Sequence, residues 1–327
     1  MSTATPAATS GTGDPGRLVA ELTDSAFALA AVAAALRRPD PGAALEPAHA
    51  QVLVALGLAE PCGGAWILAP ALVGPGGPSS TGLADRLHAA LLHAAGLAEG
   101  RFTWAEQDAA TKKALGLASG PGGRWMVTGL ASQLDDLAAR LATPGAAALD
   151  VGTGVGEIAC AMAEAAPALR VVGIDVLDDV LGVARATVTR RRLDGRVTLR
   201  RQDVASLSED AAYDLVYLPV AYIPEPALAD ALPRIGAALR PGGWVVAAVH
   251  VPGPTELGRA VSDWREFGSG GSTWTADETE QRFRLAGFEP VRRVPLGPPL
   301  PTIVAAQRPG GRADATAARP TFSAEPP

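Results

Sequence analysis

Cysteine is rare in this chain of 327 residues, which contains only Cys62 and Cys160. Two cysteines so far apart provide neither a disulfide framework nor the spacing of a zinc site. The four histidines form no ligand motif either. We therefore expect no bound metal.

Lysine is almost absent, occurring only at positions 112 and 113, so arginine supplies nearly all the positive charge. The net charge is −6, which argues against nucleic acid as the main partner. The one basic cluster comprises residues 190–192 with Arg196, Arg200 and Arg201. It is predicted to be a solvated helix face and strand edge rather than a phosphate-binding patch.

Long uncharged apolar runs are also missing. No uncharged stretch that is apolar throughout reaches the roughly 20 residues that a bilayer span needs. The N-terminus has no cationic region followed by an apolar run, so the sequence predicts no signal peptide. We therefore expect a soluble protein in a reducing, cytoplasmic setting, with no membrane partner.

The composition divides the chain into four regions. Residues 1–16 and 309–327 are rich in small residues and proline and are expected to be disordered. Residues 17–115 are predicted to form a smaller helical domain, with a linker or mobile loop at 74–82. Residues 120–308 are predicted to form a larger α/β domain.

Apolar periodicity and turn residues predict the elements of the first domain and its connection to the second. The predicted elements are helices at 17–38, 47–59, 83–98, 103–115 and 124–142, and a short strand at 65–68.

The most informative stretch is residues 146–159, where a short apolar strand enters a turn that contains Gly152, Gly154 and Gly156. Without Cβ atoms, this backbone can turn sharply and let a ligand approach closely. A helix predicted at 155–166 points its N-terminal amides at the same place, which favours an anionic group. A second apolar strand ends in Asp175, where an acidic side chain usually holds a ribose diol.

The glycine spacing is not the dinucleotide fingerprint, because Glu157 occupies the position where that pattern requires its third glycine. Asp150 lies just before the glycines, and an acid there is poorly suited to a pyrophosphate. It suits a cationic ligand that carries its own ammonium group, as S-adenosylmethionine does. A nicotinamide enzyme stays possible but is disfavoured by the spacing.

Together with three later motifs, this stretch resembles the class I S-adenosylmethionine-dependent methyltransferases. Residues 201–204 look like the adenine-binding turn, residues 213–218 like the fourth strand, and residues 239–246 like the turn into the fifth strand. Taken alone, Asp175 could also cap a helix and Asp203 could be a loop acid. The resemblance implies that S-adenosyl-L-methionine is bound by Asp150, Gly152, Thr153, Gly154, Gly156, Asp175, Val176, Asp203, Val204, Leu218 and Pro219.

The resemblance also implies the fold class: α/β, with a mostly parallel seven-stranded Rossmann-like sheet flanked by helices. The N-terminal helices and short hairpin resemble the winged-helix-like module of small-molecule O-methyltransferases, which implies a homodimer. A winged helix that binds DNA needs a basic recognition helix, but the helix at 47–59 has no lysine or arginine.

The end of the larger domain is predicted from turn and capping patterns. A helix at 226–239 contains Pro233, which should kink or restart it. The fifth strand is expected at 243–249, a helix at 255–267 and a flexible break at 268–272. A capping box at Thr275–Glu278 opens the last helix, and a closing pair of strands is predicted at 288–294 and 300–306.

Catalytic residues are harder to assign. Plant-type O-methyltransferases have a histidine just beyond the fourth strand, but residues 218–225 contain none. The acid of magnesium-dependent enzymes is also missing there, as is the motif of amino-group nucleic-acid methylators. Tyr222, Glu225 and His250 are the polar candidates, although each could be a structural loop residue.

The acceptor side is expected to include residues of the segment that leads into the first strand of the sheet. Trp125, Met126 and Thr128 are the candidates for substrate binding, although simple packing explains Trp125 and Met126 equally well.

The expected function is methyl transfer from S-adenosylmethionine to a small-molecule acceptor through oxygen, nitrogen or carbon, and the resemblance suggests a secondary metabolite. One alternative is an enzyme that binds the same cofactor but catalyses a non-methylating step. A less favoured alternative is a winged-helix regulator that binds DNA.

Overall fold

The computed structural model describes residues 14–73, 82–249, 251–296 and 301–310. The predicted tails and the predicted linker at 74–82 lie almost entirely outside these ranges. The chain divides into two compact units. One comprises Met1–Arg101 and Asp108–Pro121, and the other comprises Phe102–Gln107 and Gly122–Pro327.

The N-terminal unit is mainly helical because leucine, valine and alanine recur in it at helical spacing. Its core contains Leu36 and Leu53 from two helices and Leu68 from a strand, all of them buried. The unit contains α1 (Pro15–Leu36), α2 (Pro47–Ala55), β1 (Ala59–Cys62), β2 (Ala65–Leu68), α3 (Pro70–Val73) and α4 (Leu83–Ala98), and the chain leaves it within α5 (Ala109–Trp125).

Most predictions for this unit are confirmed within a few residues, including the helices α1, α2 and α4 and the strand β2. β1 and β2 pair in antiparallel register around a glycine turn. The helix α1 begins at Pro15, inside the region expected to be disordered, because the side chain of Asp14 accepts a hydrogen bond from the N–H of Gly16 and caps it.

The predicted helix at 103–115 is wrong in its first half. The carboxylate of Glu106 accepts hydrogen bonds from the N–H groups of Phe102 (3.1 Å) and Thr103 (2.9 Å) and closes a turn there. The helix α5 therefore begins only at Ala109.

The predicted continuous helix at 124–142 is also wrong. The chain passes from α5 through a π-helical turn at Met126–Leu130 and a 3₁₀ turn at Ala131–Gln133. Asp136 then adopts a positive φ of 57°, which interrupts the helix before α6 (Leu137–Ala142) begins.

The larger unit contains the predicted seven-stranded, mostly parallel sheet, with strand order β5-β4-β3-β6-β7-β9-β8. Only β9 runs antiparallel to its neighbours. The chain adds β4 and β5 on one side of β3 and then returns to add β6 and β7 on the other side. The carboxyl ends of β3 and β6 therefore border the topological switch point, where open α/β sheets bind their ligands.

Helices cover both faces of this sheet, because its central strands are almost wholly apolar. One buried cluster includes Leu149 and Phe283, and the cluster on the other face includes Met162 and Trp244. The strands are β3 (Ala147–Val151), β4 (Arg170–Asp175), β5 (Val197–Arg201), β6 (Tyr213–Pro219), β7 (Leu239–Val249), β8 (Val291–Pro295) and β9 (Thr302–Gln307). The remaining helices are α7 (Glu157–Ala165), α8 (Asp178–Arg190), α9 (Glu225–Ala238), α10 (Glu256–Ser269) and α11 (Ala276–Leu285).

The closing elements agree with the sequence except at two points. Pro233 does not divide its helix, because α9 runs without a break from Glu225 to Ala238. The helix α10 extends to Ser269 and so takes up the start of the predicted break. The capping box is confirmed, because Thr275 and Glu278 exchange hydrogen bonds at the start of α11.

One described helix, α1, is long and apolar enough to cross a bilayer by length and composition, with 22 residues and a mean hydropathy of 1.6. The sequence analysis considered only uncharged runs, whereas α1 contains Arg17, Glu21 and Asp24. A single helix near the N-terminus is weak evidence for a membrane span.

Candidate functional site

The three glycines after β3 form a tight loop that leads into α7. All three have positive φ angles: 63° at Gly152, 53° at Gly154 and 80° at Gly156. A Cβ atom at position 156 would also lie 3.1 Å from the Cβ of Ala184 in α8. Glycine is therefore required both for the backbone conformation and for close helix packing.

Asp175, at the end of β4, braces this loop. Its Oδ2 accepts a hydrogen bond from the N–H of Gly154 (2.8 Å), and its Oδ1 accepts one from the N–H of Leu177 (3.0 Å). Burial raises the pKa of the carboxyl group, and these hydrogen bonds oppose that shift. Each oxygen keeps a lone pair that could accept a further hydrogen bond, as the predicted role toward a ribose requires.

Asp150 is fully buried at the end of β3. Its Oδ2 accepts a short hydrogen bond of 2.6 Å from the hydroxyl of Thr153. A Cβ atom at Gly173 would lie 2.7 Å from this hydroxyl, so the glycine makes room for Thr153. Among the described residues, no donor lies in hydrogen-bond geometry to the other oxygen, Oδ1.

The environment of Asp150 changes its acidity. Burial, and to a smaller extent the negative charge of Asp175, raise its pKa to about 7, although the hydroxyl of Thr153 and the backbone N–H of Ala159 oppose the shift. A buried acid with an unpaired oxygen is costly on its own, and a cationic ligand would relieve that cost.

The end of β6 lies beside the glycine loop. A Cβ atom at Gly152 would be 3.5 Å from Cγ of Pro219. Leu218 is wholly buried in the core, and its role toward a ligand stays a prediction. The sequence analysis missed Tyr217, which pairs in register with Asp150. Burial and the charge of Asp150 raise the pKa of this tyrosine.

Two aromatic side chains meet above the loop. A Cβ atom at Gly154 would lie 3.8 Å from Cζ2 of Trp104. The ring of Trp104 contacts that of Tyr222 edge to face, with centroids 6.2 Å apart. Trp104 was not predicted as a site residue, because the sequence around it was assigned to a helix of the N-terminal domain.

The turn that carries Tyr222 is held by close backbone packing against residue 271. A Cβ atom at Gly271 would lie only 1.8 Å from the carbonyl oxygen of Ala221 and 3.2 Å from Cα of Tyr222. The loop before α11 can therefore approach the turn only if residue 271 is glycine.

The substitution Gly271→Ala should destabilise the protein by about 1–3 kcal/mol, because one of the two backbones must move. Chemical denaturation would measure this. The control is Gly182→Ala in α8, where nothing lies within 4 Å of the added atom. That change should stabilise the helix by about 0.5–1 kcal/mol. An unfolding free energy of Gly271→Ala equal to that of the unsubstituted protein would contradict the packing described.

The remaining candidates for catalysis lie in other settings. Glu225 begins α9 and forms an ion pair with Arg282 (Oε1 to Nη2, 2.9 Å). This pair links two helices, so Glu225 has a structural partner in place of a free carboxylate. Tyr222 is 54% exposed. His250 lies outside the described residues.

The candidates for substrate binding lie partly in the core and partly at the surface. Met126 is buried in the core on the α7 face of the sheet, and Trp125 packs against that core. Packing therefore accounts for Met126. Thr128 is exposed, and its hydroxyl donates to the carbonyl of Arg124 (2.9 Å).

The adenine-binding candidates lie after β5. Asp203 caps a 3₁₀ turn at Val204–Ser206 by accepting a hydrogen bond from the N–H of Ala205 (2.9 Å). Val204 is buried, whereas Val176 after β4 is 53% exposed. Their roles toward a ligand stay predictions.

The arginine cluster is largely paired with acids. Arg191 contacts Glu157 and Glu164, and Arg201 contacts Asp178. This agrees with the interpretation of a helix face rather than a phosphate patch. In the part of the chain that the structure describes, no group of histidine, cysteine, aspartate and glutamate could hold a metal ion.

Residues 148–243 match a family described as a methyltransferase domain. Over 126 residues the chain is 32% identical to release factor glutamine methyltransferase from Rhodopirellula baltica, a match that covers 38% of this chain and 41% of that protein. The chain thus spans less than half the length of this curated relative.

Solved structures match over most of the chain. An O-methyltransferase family protein from Burkholderia thailandensis has a TM-score of 0.61 at 18% identity, covering 92% of this chain and all of that one. Human N-acetylserotonin methyltransferase, in complex with its methyl donor, has a TM-score of 0.58 at 15% identity, with 92% of this chain and all of that chain covered. At such low identity these matches establish the fold.

Proposed function

We propose that this protein transfers the methyl group of S-adenosyl-L-methionine to a small-molecule acceptor, because residues 148–243 match a methyltransferase domain and the fold is similar to that of an O-methyltransferase family protein. One observation carries the proposal. The glycine loop at the switch point is braced by Asp175, and the buried Asp150 beside it has one oxygen without a hydrogen bond.

The residues present fit this donor. The unpaired Oδ1 of Asp150 suits its ammonium group, and the amides at the start of α7 suit its carboxylate. Asp175 would hold the ribose, and the turn at Asp203 and Val204 would receive the adenine. When bound, S-adenosylmethionine supplies a methyl group already activated by a sulfonium.

The chain then has to orient the acceptor and exclude water. Pro219 and Trp104 lie beside the glycine loop, and Tyr222 contacts Trp104, so these three side chains would line this part of the site. Residues 218–225 contain no histidine, and Glu225 is paired with Arg282. We therefore propose catalysis mainly by proximity, with an amine, a carbon acid or an acidic phenol as acceptor.

A product assay tests the function. The full chain would be incubated with S-adenosylmethionine and a panel of phenols, amines and carbon acids, and the products analysed by mass spectrometry. Methyl transfer predicts an acceptor heavier by one CH₂ unit, together with S-adenosylhomocysteine. An acceptor that changes without gaining CH₂ would instead support a non-methylating enzyme of the same fold. An acceptor from secondary metabolism is favoured by the resemblance alone.

The N-terminal unit is proposed to act in dimerisation rather than in DNA binding. Its helix α2 and hairpin fit a winged-helix-like module, but α2 has no lysine or arginine. Contact with duplex DNA would require cationic side chains, and its affinity would fall steeply with salt. A salt-dependent mobility shift on duplex DNA would contradict this proposal. The cytoplasm is the proposed location.

The exposed apolar face of α1 supports a homodimer. Leu18, Val19 and Leu22 lie within about one turn of the helix and are each more than half exposed. Contiguous apolar surface of this kind is typical of a protein interface.

The double substitution Leu18→Glu with Leu22→Glu should convert the dimer to a monomer, because it places two charges on one face of α1, in the apolar contact. Sedimentation velocity would measure the mass of both forms. Leu285→Glu is the control, since Leu285 is an apolar residue on α11 whose side chain is 80% exposed. An unsubstituted protein that sediments as a monomer, or floats with lipid vesicles through α1, would contradict the proposal.

A further inference from the structure

Trp104 occupies an unusual place in the chain. It belongs to Phe102–Gln107, a six-residue segment that clusters with the larger unit although the residues on both sides belong to the N-terminal unit. Glu106 folds this segment into a turn by accepting hydrogen bonds from the N–H groups of Phe102 and Thr103. These N–H groups hold the pKa of Glu106 below its usual value, so the brace persists at neutral pH.

The turn presents its two aromatic side chains to different partners. The ring of Phe102 contacts Trp264 of α10 edge to face, with centroids 6.3 Å apart. Trp104 instead reaches the glycine loop at Gly154 and the ring of Tyr222. Phe102 thus ties the turn to a helix, whereas Trp104 bridges the two parts of the site that flank the ends of β3 and β6.

In the proposed function, these two parts hold the methionyl end of the donor and the acceptor. The sulfur of the donor would lie between them. We propose that Trp104 presents its indole to the sulfonium of bound S-adenosylmethionine and is a positioning residue that favours the charged substrate over the neutral product. This inference rests on the proposed function.

The physical basis is the negative face of the indole ring, which attracts a cation within about 6 Å. During transfer, the acceptor forms a bond to the methyl carbon, and the carbon–sulfur bond breaks with its electron pair left on sulfur. The sulfonium becomes a neutral thioether, and the acceptor releases its proton to solvent. The attraction to Trp104 then disappears, which would help S-adenosylhomocysteine to leave.

The test compares the affinities of the two ligands, measured by titration calorimetry on the full chain. Trp104→Leu should weaken binding of S-adenosylmethionine about tenfold, because it removes the ring but keeps apolar bulk. Binding of S-adenosylhomocysteine should change by less than about twofold, because a neutral thioether gains little from the ring. Trp104→Phe should keep most of the preference for S-adenosylmethionine over S-adenosylhomocysteine. Phe102→Leu, in the same turn, should leave this preference at the value of the unsubstituted protein.

Each alternative outcome is informative. Equal weakening of both ligands by Trp104→Leu would show that the ring only packs or stacks on the adenine, and would overturn the inference. Affinities for both ligands that stay at the values of the unsubstituted protein would overturn it as well. If the unsubstituted protein binds neither ligand, the proposed function itself fails. If it binds both ligands but Trp104→Leu does not change the ratio of their affinities, only the inference fails. Thermal unfolding of each variant would confirm that it is folded.

Discussion

Asp175→Ala should weaken the binding of S-adenosylmethionine about 100-fold or more. The carboxylate accepts hydrogen bonds from the buried N–H groups of Gly154 and Leu177, and in the proposed complex it also receives the ribose hydroxyls. Leaving such groups without partners costs about 1–3 kcal/mol each, and each 1.4 kcal/mol is a factor of ten in affinity. Titration calorimetry would measure the loss.

Two further variants distinguish a specific role of Asp175 from a general loss of stability. Asp175→Asn keeps the shape and one acceptor oxygen, so it should lose less affinity than the alanine variant. Asp194→Ala removes an exposed carboxylate that bonds Thr189, ahead of β5, and it should leave affinity unchanged. An Asp175→Ala protein that is folded and binds with unchanged affinity would show that the ribose assignment is wrong.

The second large effect concerns pH and Asp150. With its pKa raised to about 7, the carboxyl group of Asp150 is mostly protonated at pH 6 when no ligand is bound. A cationic ligand favours the carboxylate, so binding should release a proton and tighten about tenfold between about pH 5.5 and pH 7. The ammonium of the ligand stays charged over this range, since an α-amino group titrates near about 8. Calorimetry in buffers of different ionisation enthalpy would count the protons released.

The substitution Asp150→Asn should abolish this dependence and weaken binding at pH 7. The sign of the effect on stability is opposite. In the folded protein the carboxyl group of Asp150 keeps its proton up to about pH 7, whereas in the unfolded chain it loses the proton near pH 3.8. Without ligand, the protein therefore loses stability as the pH rises between these values. Asp150→Asn should flatten that decline. Affinity that falls between pH 5.5 and pH 7 would contradict the assignment of Asp150 to the cation.

The fold of the larger unit was predictable because local patterns and the global fold agree there. Apolar strands, the glycine loop and the acid at the end of β4 occur in the order that a parallel sheet requires. The capping box of Thr275 and Glu278 likewise set the start of α11 from four residues alone. These features depend on neighbours in the sequence.

Trp104 and Tyr217 were missed because their roles depend on residues far away in the sequence. The hydrogen bonds that the Glu106 carboxylate accepts from the backbone compete with helix formation. Apolar periodicity carries no information about such hydrogen bonds. Tyr217 lies opposite Asp150 only because β3 and β6 pair in this register, which the sequence analysis did not predict. Glu225 was chosen for its position after β6, and its catalytic role stays a prediction; its partner Arg282 lies far away in the sequence, on α11.

The most direct test is a crystal structure of the full chain grown with S-adenosylhomocysteine. The account predicts the ligand at residues 152–156, with its ammonium group at Oδ1 of Asp150 and its ribose hydroxyls at Asp175. An empty loop in crystals saturated with this ligand, or a nicotinamide dinucleotide carried from the host at the same residues, would contradict it.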